Sequence, residues 1–139
     1  LARQLDITVE GPLEQDNPRT VGLVGSLAQP LSARDFARRV HEVLGREPLL
    51  VEEERMVSRI GWCTGGGQGY IDQAIAAGVD LYLTGEASEQ TYHSARENGV
   101  SFIAAGHHAT ERYGVQALGE YLSRRFAIEH LFIDCPNPI

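Results

Sequence analysis

Gly106-His107-His108-Ala109-Thr110-Glu111-Arg112 sets two adjacent histidines and a carboxylate between an apolar strand-like run and a long amphipathic stretch. Imidazole nitrogens and carboxylate oxygens are the donors that hold divalent cations or move protons near neutral pH. Read as the start of a helix, the i, i+4 spacing places His107 and Glu111 on one face, about one turn apart. Two side chains so placed can converge on one cation. Val115, Leu118, Leu122 and Phe126 recur at steps of three and four, so they read as the buried stripe of this helix. Stepping back from Val115 by fours reaches Glu111 and then His107. A carboxylate at the head of a buried stripe must be paired, protonated or metal-bound. His108 lies about 100° away round the helix and is the weaker candidate. An ordinary hydrogen-bonded pair at a helix start accounts for the same spacing, and the H-E-x-x-H arrangement is absent.

Two further stretches carry chemistry. Cys63-Thr64-Gly65-Gly66-Gly67-Gln68-Gly69 follows a strand-like run, and its glycines permit close backbone approach. Free amides at a following helix start attract anions, so Thr64, Gly65, Gly66 and Gly67 are the candidate substrate-binding residues. A tight structural turn explains the same glycines, and neither the P-loop nor the Rossmann spacing is present. In Thr84-Gly85-Glu86 the glycine permits a sharp turn that projects Glu86 into a crevice, and His93 follows seven residues later, about two turns along a helix. Glu86 and His93 are the candidate proton-transfer residues, with a surface role as the alternative for His93. His41 and His130 show no partner and read as structural.

The elements that must position these groups are legible from periodicity. Ile7 to Val9 reads as a short strand and Thr20 to Gly25 as another. Ser32, with Asp35 three residues on, opens a helix lined by Phe36, Val40, Val43 and Leu44 and stopped at Gly45. Pro48 to Val51 is a strand, and Glu52-Glu53-Glu54 is a solvated acidic turn; Pro12 and Pro18 break the stretch before residue 20. From residue 57 the pattern is regular. Strands at 57–63, 81–84, 101–105 and 130–134 alternate with helices at about 68–77, 88–98 and 107–126, with Gly78 and Gly99 at helix ends. This is the signature of βαβ units, and it predicts an α/β fold with a mostly parallel sheet and helices packed on it. Ligands of such sheets sit beyond the carboxyl ends of the strands, where all three chemistry-bearing junctions would then lie.

Composition narrows the function classes. At 139 residues the chain is one domain, or the C-terminal portion of a longer protein, with 1–56 less regular than 57–139. Twelve basic against 19 acidic residues give a net charge of -7, which argues against nucleic acid as a partner. No apolar run is long enough to span a membrane. Cys63 and Cys135 lie far apart, each after a strand-like run, and read as reduced, buried thiols of a cytoplasmic protein.

In combination, Trp62 to Gln68, Thr84-Gly85-Glu86 with Ser88 to Thr91 and His93 to Glu97, Ala105 to Arg112, and Phe132-Ile133-Asp134 with Pro136-Asn137-Pro138 resemble the YbgI-like dinuclear-metal proteins, commonly named GTP cyclohydrolase type 2 homologues. The resemblance is dense from about residue 57 onward. It implies an α/β fold assembled into a hexameric toroid, with two divalent metal ions per subunit facing the inner cavity. The family's C-terminal ligands fall on His107 and Glu111, and Glu86 and His93 match residues near that site. The remaining ligands, a paired histidine motif and a later aspartate, have no counterpart in this sequence, so the resemblance implies half of a metal site. Two metals would activate a water and polarise a phosphoryl or ring carbon–nitrogen centre, making a hydrolase of nucleotide-like substrates. The alternatives are a non-catalytic metal-binding or scaffold protein forming a ring, and a nucleotide-binding domain without metal.

Overall fold

Ser32 begins the best-specified element of the chain. In the computed structural model, which describes residues 1–139 except Pro18, Glu53 and Pro136, its Oγ accepts from the Asp35 amide at 3.0 Å. That cap opens α1 (Ala33–Leu44), which buries Phe36, Val40 and Leu44 and stops at Gly45. The expectations that fell on Pro18, Glu53 and Pro136 lie outside the described residues.

Six strands form one sheet: β1 (Ile7–Pro12), β2 (Leu23–Ser32), β3 (Leu49–Val51), β4 (Met56–Trp62), β5 (Leu81–Thr84) and β6 (Ser101–Ala104), in the order β1-β2-β4-β5-β6-β3. The helices after α1 are α2 (Ile71–Ala76), α3 (Glu89–Glu97) and α4 (His107–Phe126), with short 3₁₀ turns at Ala2–Leu5 and Gln68–Tyr70. Gly78 and Gly99 end α2 and α3 with φ of 70° and 61°.

The α/β class holds, and the βαβ reading holds for β4, β5 and β6, which pair in parallel. A mostly parallel sheet does not: β1 with β2, β2 with β4, and β3 with β6 are antiparallel, so the sheet is mixed. The difference follows the connections between strands that are consecutive in sequence and adjacent in the sheet. A parallel return needs a crossover of about a dozen residues or more, which only the segments between β4, β5 and β6 place over the sheet between neighbouring strands. β2 also runs well beyond the expected Gly25, carrying Pro30 where the register with β4 shifts between Ser26 and Leu31. Proline is tolerated at such an irregularity because no ladder donor is needed there. The expected strand at 130–134 is not formed; those residues have no regular structure.

Alternation along the strands divides the interior into two layers. Leu81, Leu83 and Ile103 face one side, packed with Phe36, Val40 and Ala109 from α1 and the head of α4. Tyr82 and Phe102 face the other, packed with Ile71, Ala74 and Ala95 from α2 and α3. Their rings lie 6.2 Å apart. No helix among the described residues is long and apolar enough to cross a membrane.

Beyond its first turn α4 departs from expectation. Its buried residues are Ala109 and Thr110. Val115, Leu118 and Phe126 of the expected buried stripe are 59%, 57% and 62% exposed. Spacing reports which face of a helix is apolar, but something must lie against that face to bury it, and among the described residues nothing covers it beyond leaving Leu122 half-buried. Ile128, Leu131 and Ile133 extend the exposed apolar surface past the helix end. Cys63 is buried and Cys135 exposed, both as free thiols, so the pair of buried cysteines is corrected to one. Cys135 follows no strand, and the segment holding it lies on the surface.

Candidate metal centre

Strand ends bring the three junctions together. The backbone amide of Cys63 donates to Leu83 O at 3.1 Å and that of Ala105 to Thr84 O at 2.8 Å, continuing the parallel ladder past the strands. Gly85 N then donates to Gly65 O, and Gly106 N to Gly85 O, each at 2.9 Å. The glycine loop, the Gly85-Glu86 turn and the head of α4 are therefore stitched side by side at the carboxyl edge of β4, β5 and β6.

On this edge His107 stands between two carboxylates. Its Nδ1 lies 2.6 Å from Glu86 Oε1 and its Nε2 lies 3.3 Å from Glu111 Oε2. The i, i+4 step on α4 supplies the second contact, and the Gly85 turn supplies the first. All three side chains are partly open to solvent. His108 turns elsewhere, its Nε2 2.9 Å from Asp134 Oδ1, and Arg112 reaches the other Asp134 oxygen at 3.5 Å. His107 and Glu111 thus share a direction that His108 does not, although the stripe used to align them is exposed.

The hydrogen bond from His107 holds the Glu86 carboxyl below the usual range, against a smaller opposing effect of desolvation. The same bond raises the His107 imidazole, and the charges of Glu111 and Glu86 add to it. Glu86 also accepts from Gln68 Nε2 at 3.3 Å.

Gly65 and Gly106 are the glycines on which the geometry depends. Gly65 has a φ of 66°, and a side chain there would overlap the Glu111 carboxylate. Gly106 has a φ of 97° and lets the chain turn from β6 directly into α4. The loop's amides are largely committed within the chain. Gly65 N donates to Thr110 Oγ1 at 2.9 Å, and Gly67 N to Thr84 Oγ1 at 3.1 Å. Tyr82 OH donates to Gly67 O at 2.7 Å and Thr84 Oγ1 to Gly65 O at 3.1 Å. The amides of Gly65 and Gly67 are therefore not open to an anion, and the glycines serve to bring the loop flat against the carboxylates. A side chain at Gly66 would come 3.5 Å from Glu86 Oε1, so this position borders the cluster. Thr64 faces away, into a groove of about 450 Å³ with Trp62 and Tyr113.

His93 is not part of the cluster. It is exposed on α3, 4.0 Å from Glu89 and edge-on to Tyr92 at 5.4 Å, and none of its interactions involves Glu86, His107 or Glu111. Seven residues along a helix cannot return His93 to Glu86, which precedes the helix in a turn. His41 has a partner after all, Glu47 at 3.0 Å, and His130 packs its ring against Gly119. Thr84 and Thr110, buried hydroxyls that fix the loop, lie inside the quoted motifs, but nothing in the sequence assigns either of them a role.

As a cation site the arrangement fits in part. A ligating histidine commonly gives its other ring N–H to a carboxylate, which fixes the tautomer and aims the free lone pair. Glu86 is placed to do this, leaving His107 Nε2 and the Glu111 carboxylate as two donors on one side. Among the described residues no group of three or more His, Cys, Asp or Glu side chains could hold a metal. The donor set suits a divalent ion and is incomplete among the described residues.

The family model described as Duf34/NIF3 (NGG1p interacting factor 3) matches residues 1–138. A Pseudomonas aeruginosa protein named GTP cyclohydrolase 1 type 2 homolog is 75% identical over 138 residues, covering 99% of this chain and 55% of the relative. A Haemophilus influenzae protein of the same name is 49% identical, with 99% and 55% covered. A solved structure described as protein ybgI of unknown function superimposes with a TM-score of 0.92 at 46% identity, covering 99% of this chain and 55% of that one. A Thermus thermophilus structure gives a TM-score of 0.82 at 27% identity, with 99% and 54% covered. The chain spans about half the length of the curated relatives it matches.

Proposed function

The chain belongs to the Duf34/NIF3 family, and from that premise we propose that it supplies one side of a divalent-metal centre in a metal-dependent hydrolase acting on a nucleotide-type substrate. The observation that carries the reading is His107 held between Glu86 at 2.6 Å and Glu111 at 3.3 Å. His107 Nε2 and Glu111 are the ligands. Glu86 accepts the Nδ1 proton and keeps the ring from rotating, which makes it a positioning residue before it is anything else. With its pKa depressed it stays ionised at neutral pH, so it can accept a proton only from a strongly activated donor. The metal, when bound, polarises an electrophilic phosphoryl or ring carbon and lowers the pKa of a water. Gly65 lets the loop lie against both ligands, and Thr110 locks that loop to α4. Two protein donors fall short of the three usual for a catalytic ion. The complete centre, two ions per subunit, thus takes ligands from outside this chain, in a protein that closes into a hexameric ring.

A second reading is that the ring is a scaffold and the metal structural. It is favoured by the exposed apolar residues Val115, Leu118, Tyr121, Phe126, Leu131 and Ile133, which suit assembly. Turnover of a nucleotide panel by the full-length protein with manganese, iron, zinc or magnesium decides between them. Hydrolysis that disappears in His107→Ala supports the enzyme. Metal retention without turnover of any nucleotide supports the scaffold.

A further inference from the structure

Among the described residues, the Arg46 guanidinium beside the cluster makes no hydrogen bond or ion pair, whereas Arg112 is held by Leu44 O and Asp134. Arg46 follows Gly45 at the end of α1 and crosses to the opposite junction, where a side chain at Gly106 would meet its Nη1 at 2.9 Å and its Cδ at 3.0 Å. It thus lies against the backbone immediately before His107. Its Nη1 is buried and makes no hydrogen bond. A buried donor without an acceptor is costly, and an arginine carries five donors and no acceptor of its own. Such a group is either a defect or a contact awaiting its other half.

The same side chain lines a cavity of about 400 Å³ shared with Gly85, Glu86, Ala104, Glu47 and Ile139. The side-chain carboxylates of Glu86 and Glu47 border this space, yet each already has a histidine partner. Glu86 is held by His107 at 2.6 Å, and Glu47 by His41 at 3.0 Å. The charge left unmatched is that of Arg46. The glycine loop, the other place for an anion, has its Gly65 and Gly67 amides bonded within the chain.

From this geometry we infer that Arg46 and the cavity beside Glu86 form an anion-binding subsite that takes a phosphate group of a small molecule. The planar fork of a guanidinium matches a phosphate in two parallel hydrogen bonds, which a lysine ammonium does not reproduce. The inference deepens the hydrolase reading and rests on it for the identity of the substrate: the phosphate is the fixed end of a nucleotide-type molecule whose other end faces His107. Binding of the phosphate itself needs no metal.

The test uses the chain as it stands, in EDTA at constant ionic strength, titrated with inorganic phosphate and separately with guanosine and adenosine monophosphates while amide resonances are followed. Saturable shifts confined to Gly85, Glu86 and Ala104 are expected, weakened at least tenfold in Arg46→Gln and partly restored in Arg46→Lys. Tighter binding of the monophosphates than of inorganic phosphate identifies an ester as the ligand; equal binding identifies the free anion. Shifts elsewhere, no saturable binding, or undiminished binding by Arg46→Gln overturns the proposal. If Arg46→Gln does not fold, the location of the shifts in the unmodified chain decides. Metal uptake by the full-length His107→Ala protein is scored separately, so failure of the metal reading and failure of the anion subsite are distinct results.

Discussion

The two halves of α4 obey different masters. Its first turn is fixed by the sheet: Ala109 and Thr110 are buried, His107 is bracketed by two carboxylates, and Thr110 ties the glycine loop. Its remaining length carries Val115, Leu118 and Phe126 on helical spacing and leaves them exposed, with Leu122 half-buried. One helix thus joins a site this chain builds to a surface this chain does not cover. The difference teaches that an apolar period states what a helix must bury, whereas a network of satisfied polar groups states what it already contacts.

Metal binding separates the halves most sharply. A protein of the relatives' full length is expected to hold two ions per subunit after dialysis, and the 139-residue chain to be folded but metal-poor. Tight retention of two ions by the short chain would show a complete site within it. In the longer protein, His107→Ala or Glu111→Gln should weaken metal binding beyond the roughly 10–100-fold loss expected for the orienting Glu86→Gln. Equilibrium dialysis reads all three, and Leu118→Ser should leave affinity unchanged.

Stability makes the next contrast. Thr110→Val orphans the buried Gly65 amide and should cost about 1–3 kcal/mol in denaturant unfolding. Leu118→Ser, on the open half, should stay within about 0.5 kcal/mol in the short chain. In the longer protein it should instead lower the oligomer size seen by sedimentation. Equal costs for the two substitutions would mean that the far half is packed after all.

Thiol reactivity offers a smaller effect on the same axis. Burial, and then the charge of Glu111, pushes the Cys63 thiol up, while Cys135 is exposed. Iodoacetamide at mildly alkaline pH should modify Cys135 about tenfold faster or more. Comparable rates, read by mass spectrometry, would contradict the burial of the Cys63 junction.

The smallest effect is the pH response of the metal-free chain. Glu86, lowered from 4.5, contributes stability above that value and loses it as pH falls through the depressed one. His107, raised from 6.5, contributes fully below that value and loses it as pH rises through the raised one. Both contributions are complete between 4.5 and 6.5. Thermal melts across pH should show a shallow maximum there that Glu86→Gln flattens.

Much of this was legible beforehand where a local rule decides. β5 and the Ser32 cap were set by short-range chemistry, and the i, i+4 relation of His107 and Glu111 followed from helix geometry alone. Strand direction was not legible, because alternation is the same in parallel and antiparallel strands; hence the antiparallel placement of β2 and β3. Residues 130–134 hold the apolar run Leu131-Phe132-Ile133 that reads as a short buried strand, but among the described residues no strand pairs with them. Arg46 gave no signal either. It sits about sixty residues from His107 in sequence and reaches the site only because α1 and α4 pack on one face of the sheet.

The stitched junctions have a consequence for how this protein can vary in length. Loops at the ends of strands are ordinarily where insertions accumulate. Here Gly65, Gly85 and Gly106 are joined by consecutive backbone bonds, so a single added residue in any one of them would push its neighbour out of register and move a candidate ligand. Substitutions along this edge can be absorbed side chain by side chain; changes in the number of residues cannot. The freedom to lengthen the chain lies instead in the connection from β1 to β2, which meets the sheet far from these three bonds in sequence and carries none of the side chains that face His107.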